Sequence, residues 1–133
     1  MKEVVLYYAP ENSAHVGLIK GVLVQMGIKI KNLTPGRWGK KIGFLAGMEG
    51  FEDDPEKERN AEAVLDLPLT IKEELLILCG LSDEKLDEML EKLKNAGVPG
   101  TVLKAIVTDT NARWTVYELY GHLLEERRQM EAR

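Results

Sequence analysis

The chain is poor in the residues that most often carry chemistry. Its 133 residues hold one cysteine, two histidines and only 6% aromatics. The lone Cys79 excludes an internal disulfide framework and suits a reducing compartment, so a cytoplasmic location is expected. So few histidines and cysteines leave little material for a transition-metal site. Asp109 with Asn111 offers two oxygen groups, short of the roughly 6–8 that calcium takes. No metal and no cofactor is therefore expected. No apolar run approaches the ~18 residues that span a bilayer. The first residues, MKEVVLYYA, turn polar too soon for a signal peptide. Positive charge is not in excess either. Eighteen Lys and Arg stand against 22 Asp and Glu, for a net charge of -4. That argues against nucleic acid or an anionic membrane as partner, but leaves room for a small local anion site. The signatures GxxxxGK[ST], GxGxxG, GxSxG, CxxC and HExxH are all absent, and no internal repeat is visible.

What is present is an ordinary globular composition, 44% hydrophobic and 30% charged. The length suits a single domain over residues 1–133. One segment departs from it, a charged exposed loop at about 49–66 whose centre reads EDDPEKERNAE. Continuous apolar runs at Val4–Ala9, Leu75–Leu78 and Val102–Val107 suit strands buried on both faces, as in the middle of a parallel sheet. At Ile28–Leu33, Ile28 and Ile30 alternate with Lys29 and Lys31, which suits an edge strand.

Helical spacing fills the gaps. Val16, Ile19, Val22, Leu23 and Met26 share one face, with Asn12 or Ser13 as start cap and Gly27 as stop. Thr34 and Pro35 begin a short helix through about Met48, weakened by Gly36, Gly39 and Gly43. Leu86, Met89, Leu90 and Leu93 form the clearest face, behind Ser82 as N-cap and the Leu81–Leu86 staple. Thr115 and Glu118 fit a capping box, flanked by the Trp114–Leu119 staple.

Strand then helix, four times over, predicts an α/β fold. The expectation is a three-layer, four-stranded, mostly parallel sheet with helices on both faces. The alternative is a ferredoxin-like α+β fold with an added C-terminal helix. In a parallel sheet, four loops would meet at the carboxyl edge of the strands: Pro10–Ser13, Thr34–Arg37, Cys79–Ser82 and Thr108–Trp114. Each precedes a helix, whose free N–H groups attract anions. The candidate ligand-binding residues are Asn12, Ser13, Arg37, Ser82, Thr108, Thr110, Asn111 and Arg113. Ser82 and Thr115 are explained by capping alone, and Thr108–Asn111 by a side-chain-stabilised turn. No catalytic set is evident. Cys79 near a helix start, with His15 or Asp109 assisting, is the weak candidate for a nucleophile, against a buried inert thiol. Lys104 is read as a snorkelling or edge cation.

Cys79-Gly80-Leu81-Ser82 after a strand, the Leu-rich helix that follows, and KAIVTDTNARW at 104–114 resemble a bacterial and archaeal family. It is known only as domain of unknown function number 3783. The resemblance runs from about Leu75 to Glu126 and departs from the family pattern at Ile106, Val107 and Asp109. It singles out Lys104, Thr108, Thr110, Asn111 and Trp114 but implies no activity. The functional expectation is a non-catalytic cytoplasmic module that binds a small anionic ligand or a protein partner at the carboxyl edge of the sheet. The alternatives are a small cysteine-dependent enzyme and a structural or oligomerising domain. A monomer or homodimer is expected, the dimer pairing Ile28–Leu33 edge to edge.

Overall fold

The computed structural model describes residues 2–11, 13–34, 36, 38–51 and 71–131. Asn12, Pro35, Arg37 and most of the expected charged loop lie outside the described residues. The element order is β1 (Val4–Tyr8), α1 (Val16–Gln25), β2 (Ile30–Asn32), α2 (Ile42–Leu45), β3 (Leu75–Cys79), α3 (Asp83–Asn95), β4 (Leu103–Ile106) and α4 (Val116–Glu131). A 3-10 turn, Asn111–Arg113, precedes α4. The expected strand–helix alternation is present, and the fold is α/β. Two units form, Met1–Leu33 with Lys72–Ile106, and Thr34–Ile71 with Val107–Arg133.

The first unit holds the sheet. Its strand order is β2-β1-β3-β4. The β1–β2 and β3–β4 pairs are parallel, and β1–β3 is antiparallel. The sheet is therefore mixed, with two of its three pairings parallel. It consists of two β–α–β halves running in opposite directions. Like the ferredoxin-like alternative it has two such halves, but here the strands of each half are direct neighbours. Val4, Val5, Tyr7 and Tyr8 favour β1, and β3 is a continuous apolar run. Val5, Tyr7, Leu76 and Leu78 point to one face and bury against Ile19, Val22 and Leu23 of α1 and Met89 and Leu93 of α3. Full burial of each large aliphatic side chain contributes about 1.5–3 kcal/mol of transfer free energy.

Both helices stop in the same way. Gly27 and Gly97 adopt positive φ (70° and 90°). After α1 the N–H of Ile28 donates to Leu23 and that of Gly27 to Val24; after α3 the N–H of Val98 donates to Leu93 and that of Gly97 to Lys94. This is the Schellman arrangement, and it needs a residue without a Cβ at the left-handed position. At the start of α3, Ser82 Oγ accepts the Lys85 N–H at 3.2 Å. Leu81 and Leu86 both pack on the core beneath.

Three local expectations are corrected. The α1 N-cap is His15, which makes no side-chain cap bond, rather than Asn12 or Ser13. Of the helix expected from Thr34 through about Met48, the described α-helical part is only Ile42–Leu45, after an extended Lys41. Gly36 and Gly39 ahead of it favour turns over helix. The run Val102–Val107 forms an edge strand, not a central one, and Ile106 is 53% exposed. A continuous apolar run marks hydrophobicity, not position in the sheet.

In the second unit, the Ile42 N–H donates to the Trp114 carbonyl at 2.9 Å, and the Tyr117 N–H to the Trp38 carbonyl at 3.2 Å. These bonds tie α2 to the start of α4. Inside this unit Gly43 faces Phe51 so closely that an added Cβ would lie 2.7 Å from the ring. Gly43→Ala is expected to lower stability by about 1–3 kcal/mol through overpacking, read from the urea unfolding midpoint. An unchanged midpoint would show that Phe51 can move aside freely.

Candidate functional site

The antiparallel β1–β3 register places Tyr8 opposite Leu75 and Val4 opposite Cys79. The carboxyl end of β1 thus meets the amino end of β3. Glu74, the residue before β3, comes to lie against Tyr7 and against His15 at the start of α1. The Tyr7 hydroxyl donates to Glu74 Oε2 at 2.8 Å. Glu74 Oε1 lies 2.9 Å from His15 Nδ1. One carboxylate therefore holds a strand phenol with one oxygen and a loop imidazole with the other.

Burial works against charge on Glu74. The opposing effects of Ser13, the His15 and Tyr7 hydrogen bonds and the attraction of His15 outweigh it. The net result is a carboxyl held below its ordinary value of 4.5. Ser13 Oγ is itself buried and closes no hydrogen bond of regular geometry, so we read it as a close neighbour of the carboxylate rather than a bonded one. Tyr7 moves the other way. Burial, the bond to Glu74 and the Glu74 charge push its phenol well above 10.0. Tyr7 thus stays protonated and donates, and Glu74 stays ionised and accepts. A carboxylate can only accept, so the His15 proton belongs on Nδ1, which leaves Nε2 as the ring's other nitrogen.

Ser13, His15 and Glu74 border an open cleft of about 400 Å³. Pro10, Glu11, Ser13, Ala14 and His15 line one side, and Lys72, Glu73, Glu74, Thr101 and Val102 the other. The volume is within the range of small-molecule sites. The His15 side chain is 32% exposed and that of Glu74 only 9%, so the imidazole is the reachable member. His15, the residue that opens α1, makes no side-chain cap bond to the first N–H groups of the helix, which have no intrahelical acceptor.

The residues expected from sequence are distributed differently. Ser13 and His15 are at this cleft. Ser82 is at the other end of the sheet, because it follows Cys79, and it caps α3. The expected meeting of Pro10–Ser13 with Cys79–Ser82 at one edge is overturned by the antiparallel centre. The proposed Cys79–His15 pair falls with it. Cys79 lies five positions beyond Glu74 along β3, about 16 Å at ~3.3 Å per residue. Its thiol is fully buried, and burial pushes its pKa up, against nucleophilic activation.

In the second unit, the Thr108 N–H donates to Asn111 Oδ1 at 2.8 Å, and the Asn111 N–H to Thr108 Oγ1 at 3.1 Å. This reciprocal pair is the side-chain-stabilised turn expected of Thr108–Asn111. Thr110 and Arg113 are exposed. The Thr115–Glu118 capping box forms as expected. The Glu118 N–H donates to Thr115 Oγ1 at 3.2 Å and the Thr115 N–H to Glu118 Oε1 at 3.4 Å. Trp114 stacks on His122 with centroids 4.1 Å apart and planes 11° from parallel. Lys104 Nζ donates to the Val102 carbonyl, just ahead of β4, at 3.3 Å. The described residues contain no cluster of three or more metal-ligating side chains. Among them no helix is long and apolar enough to cross a membrane.

Tyr7 and Glu74 were also missed. Tyr7 reads as one more apolar strand residue and Glu74 as a polar residue ahead of a strand. They are 67 positions apart, and no spacing rule joins them.

Glu74→Gln should cost about 1–3 kcal/mol at neutral pH, since it removes a charged acceptor shared by two donors. The folded-state pKa of Glu74 is depressed. Its contribution is therefore complete above 4.5 and lost as pH falls through the lower folded value. The gap between wild type and variant in urea unfolding should close in acid. A gap independent of pH would contradict this reading.

The family model of a domain of unknown function, DUF3783, matches residues 74–130, less than half of the chain. The match begins at Glu74 and takes in β3, α3, β4 and most of α4, and Tyr7, Ser13 and His15 lie outside it. No curated protein and no solved structure matches the chain.

Proposed function

We infer that the protein is a non-catalytic cytoplasmic binding module, and that its ligand is a small molecule with an anionic group, held in the cleft at the carboxyl end of β1. The observation that carries this reading is the open cleft of about 400 Å³ bordered by His15, itself fixed by Glu74. Lys72 and the positive end of α1, which begins just after His15, supply positive potential beside it. The single buried cysteine supports a reducing compartment. Glu11 and Glu73 on the same walls limit the charge that fits. They favour one anionic group with a polar body over a densely charged polyanion, since unlike and like charges at ~4 Å each matter by about 1 kcal/mol even in water.

Amide spectra titrated with small phosphate monoesters should show fast-exchange shifts at Ser13, His15, Lys72, Glu74 and Thr101. Dissociation constants near millimolar, about 4 kcal/mol of binding, are expected for so open a site. Spectra unchanged at tens of millimolar would reject the reading.

A further inference from the structure

We propose that His15 is the recognition residue of this cleft, and that its Nε2 accepts a hydrogen bond from a hydroxyl of the ligand. The cleft would then prefer hydroxylated acids to equally charged molecules without a hydroxyl. The proposal rests on the cleft being the ligand site.

The argument starts from the two ring nitrogens. Nδ1 is taken by Glu74 Oε1 at 2.9 Å, and the other oxygen of that carboxylate is taken by Tyr7 at 2.8 Å. Tyr7 is 1% exposed and held in β1 by pairing on both sides. The chain of contacts thus runs from the middle of the sheet to the cleft wall, and Tyr7 and Glu74 position the ring. An ionised Glu74 requires the proton on Nδ1, which makes Nε2 an acceptor in the neutral ring. The ring is held before any ligand arrives, so less conformational freedom is lost on binding. The other polar groups divide by role. Lys72 donates, and suits the anionic part of a ligand. Nε2 accepts, and a hydroxyl is the donor that an acid can bring without adding charge. Glu11 and Glu73 accept as well, but on longer side chains, and they would draw an ammonium group instead.

The test compares glycerol phosphate with n-propyl phosphate, of equal charge and similar size, by amide-shift titration of the full chain. Wild type should bind glycerol phosphate about three- to tenfold more tightly, as expected for one hydrogen bond at an open site. His15→Ala should bring both affinities to the lower value. Nitrogen chemical shifts of the His15 ring should show the Nδ1–H tautomer in wild type, and the Nε2–H form should gain population in Glu74→Gln. Equal affinity for the two phosphates, or the Nε2–H tautomer in wild type, overturns this inference and leaves the ligand site standing. Preference for phosphoethanolamine over glycerol phosphate overturns it in favour of Glu11 and Glu73. No response to any of the three removes the ligand site and this inference together.

Discussion

The antiparallel pairing of β1 with β3 is the constraint on which the first unit depends. Each flanking pair is parallel and internally complete as a β–α–β half. The central ladder sets the direction in which one half meets the other. It brings the carboxyl end of β1 to the amino end of β3, and so brings Glu74 to Tyr7 and His15. The same ladder sends Cys79 and Ser82 to the opposite end. One set of backbone bonds both dissolves the expected convergence of helix-starting loops and builds a polar cluster in another place.

A carboxylate with a side chain only 9% exposed needs compensation. Desolvation of a charge in a protein interior costs several kcal/mol unless hydrogen bonds replace the lost water. Glu74 has those bonds from two sides, and its pKa falls despite burial. The opposite displacement of Tyr7 is the counterpart of the same bond, since a donor beside an anion holds its proton. The pair is thus fixed in complementary protonation states across ordinary pH. His15 is the member with reach into the cleft, and its orientation follows from the pair behind it.

Four of the eight candidate ligand-binding residues fall in TDTNARW, and in the second unit this segment and the helix start behind it carry much local structure. Thr108 and Asn111 satisfy each other, Thr115 and Glu118 cap α4, and Trp114 packs on His122. A residue whose polar atoms are used in local bonds has little left for a ligand. The matched family region includes all of these positions. Short-range structural roles alone account for much of what makes that stretch distinctive.

The sequence by itself determined the local elements of this protein. Strands at Val4, Leu75 and Leu103, helices with their Ser82 and Thr115 caps, glycine stops at Gly27 and Gly97, and β2 as an edge strand were all legible. Each depends on residues within about four positions of one another, where spacing and side-chain chemistry decide. Only the tertiary structure decided the direction of β3 against β1, the edge position of β4, and the joining of Tyr7, His15 and Glu74. A strand's apolar pattern is the same whichever way its neighbour runs, because side chains alternate with period two in both senses. Direction is chosen by the burial of whole faces. The candidate site is a consequence of that choice, which is why half of it stood in the sequence as isolated residues and the carboxylate at its centre went unnoticed.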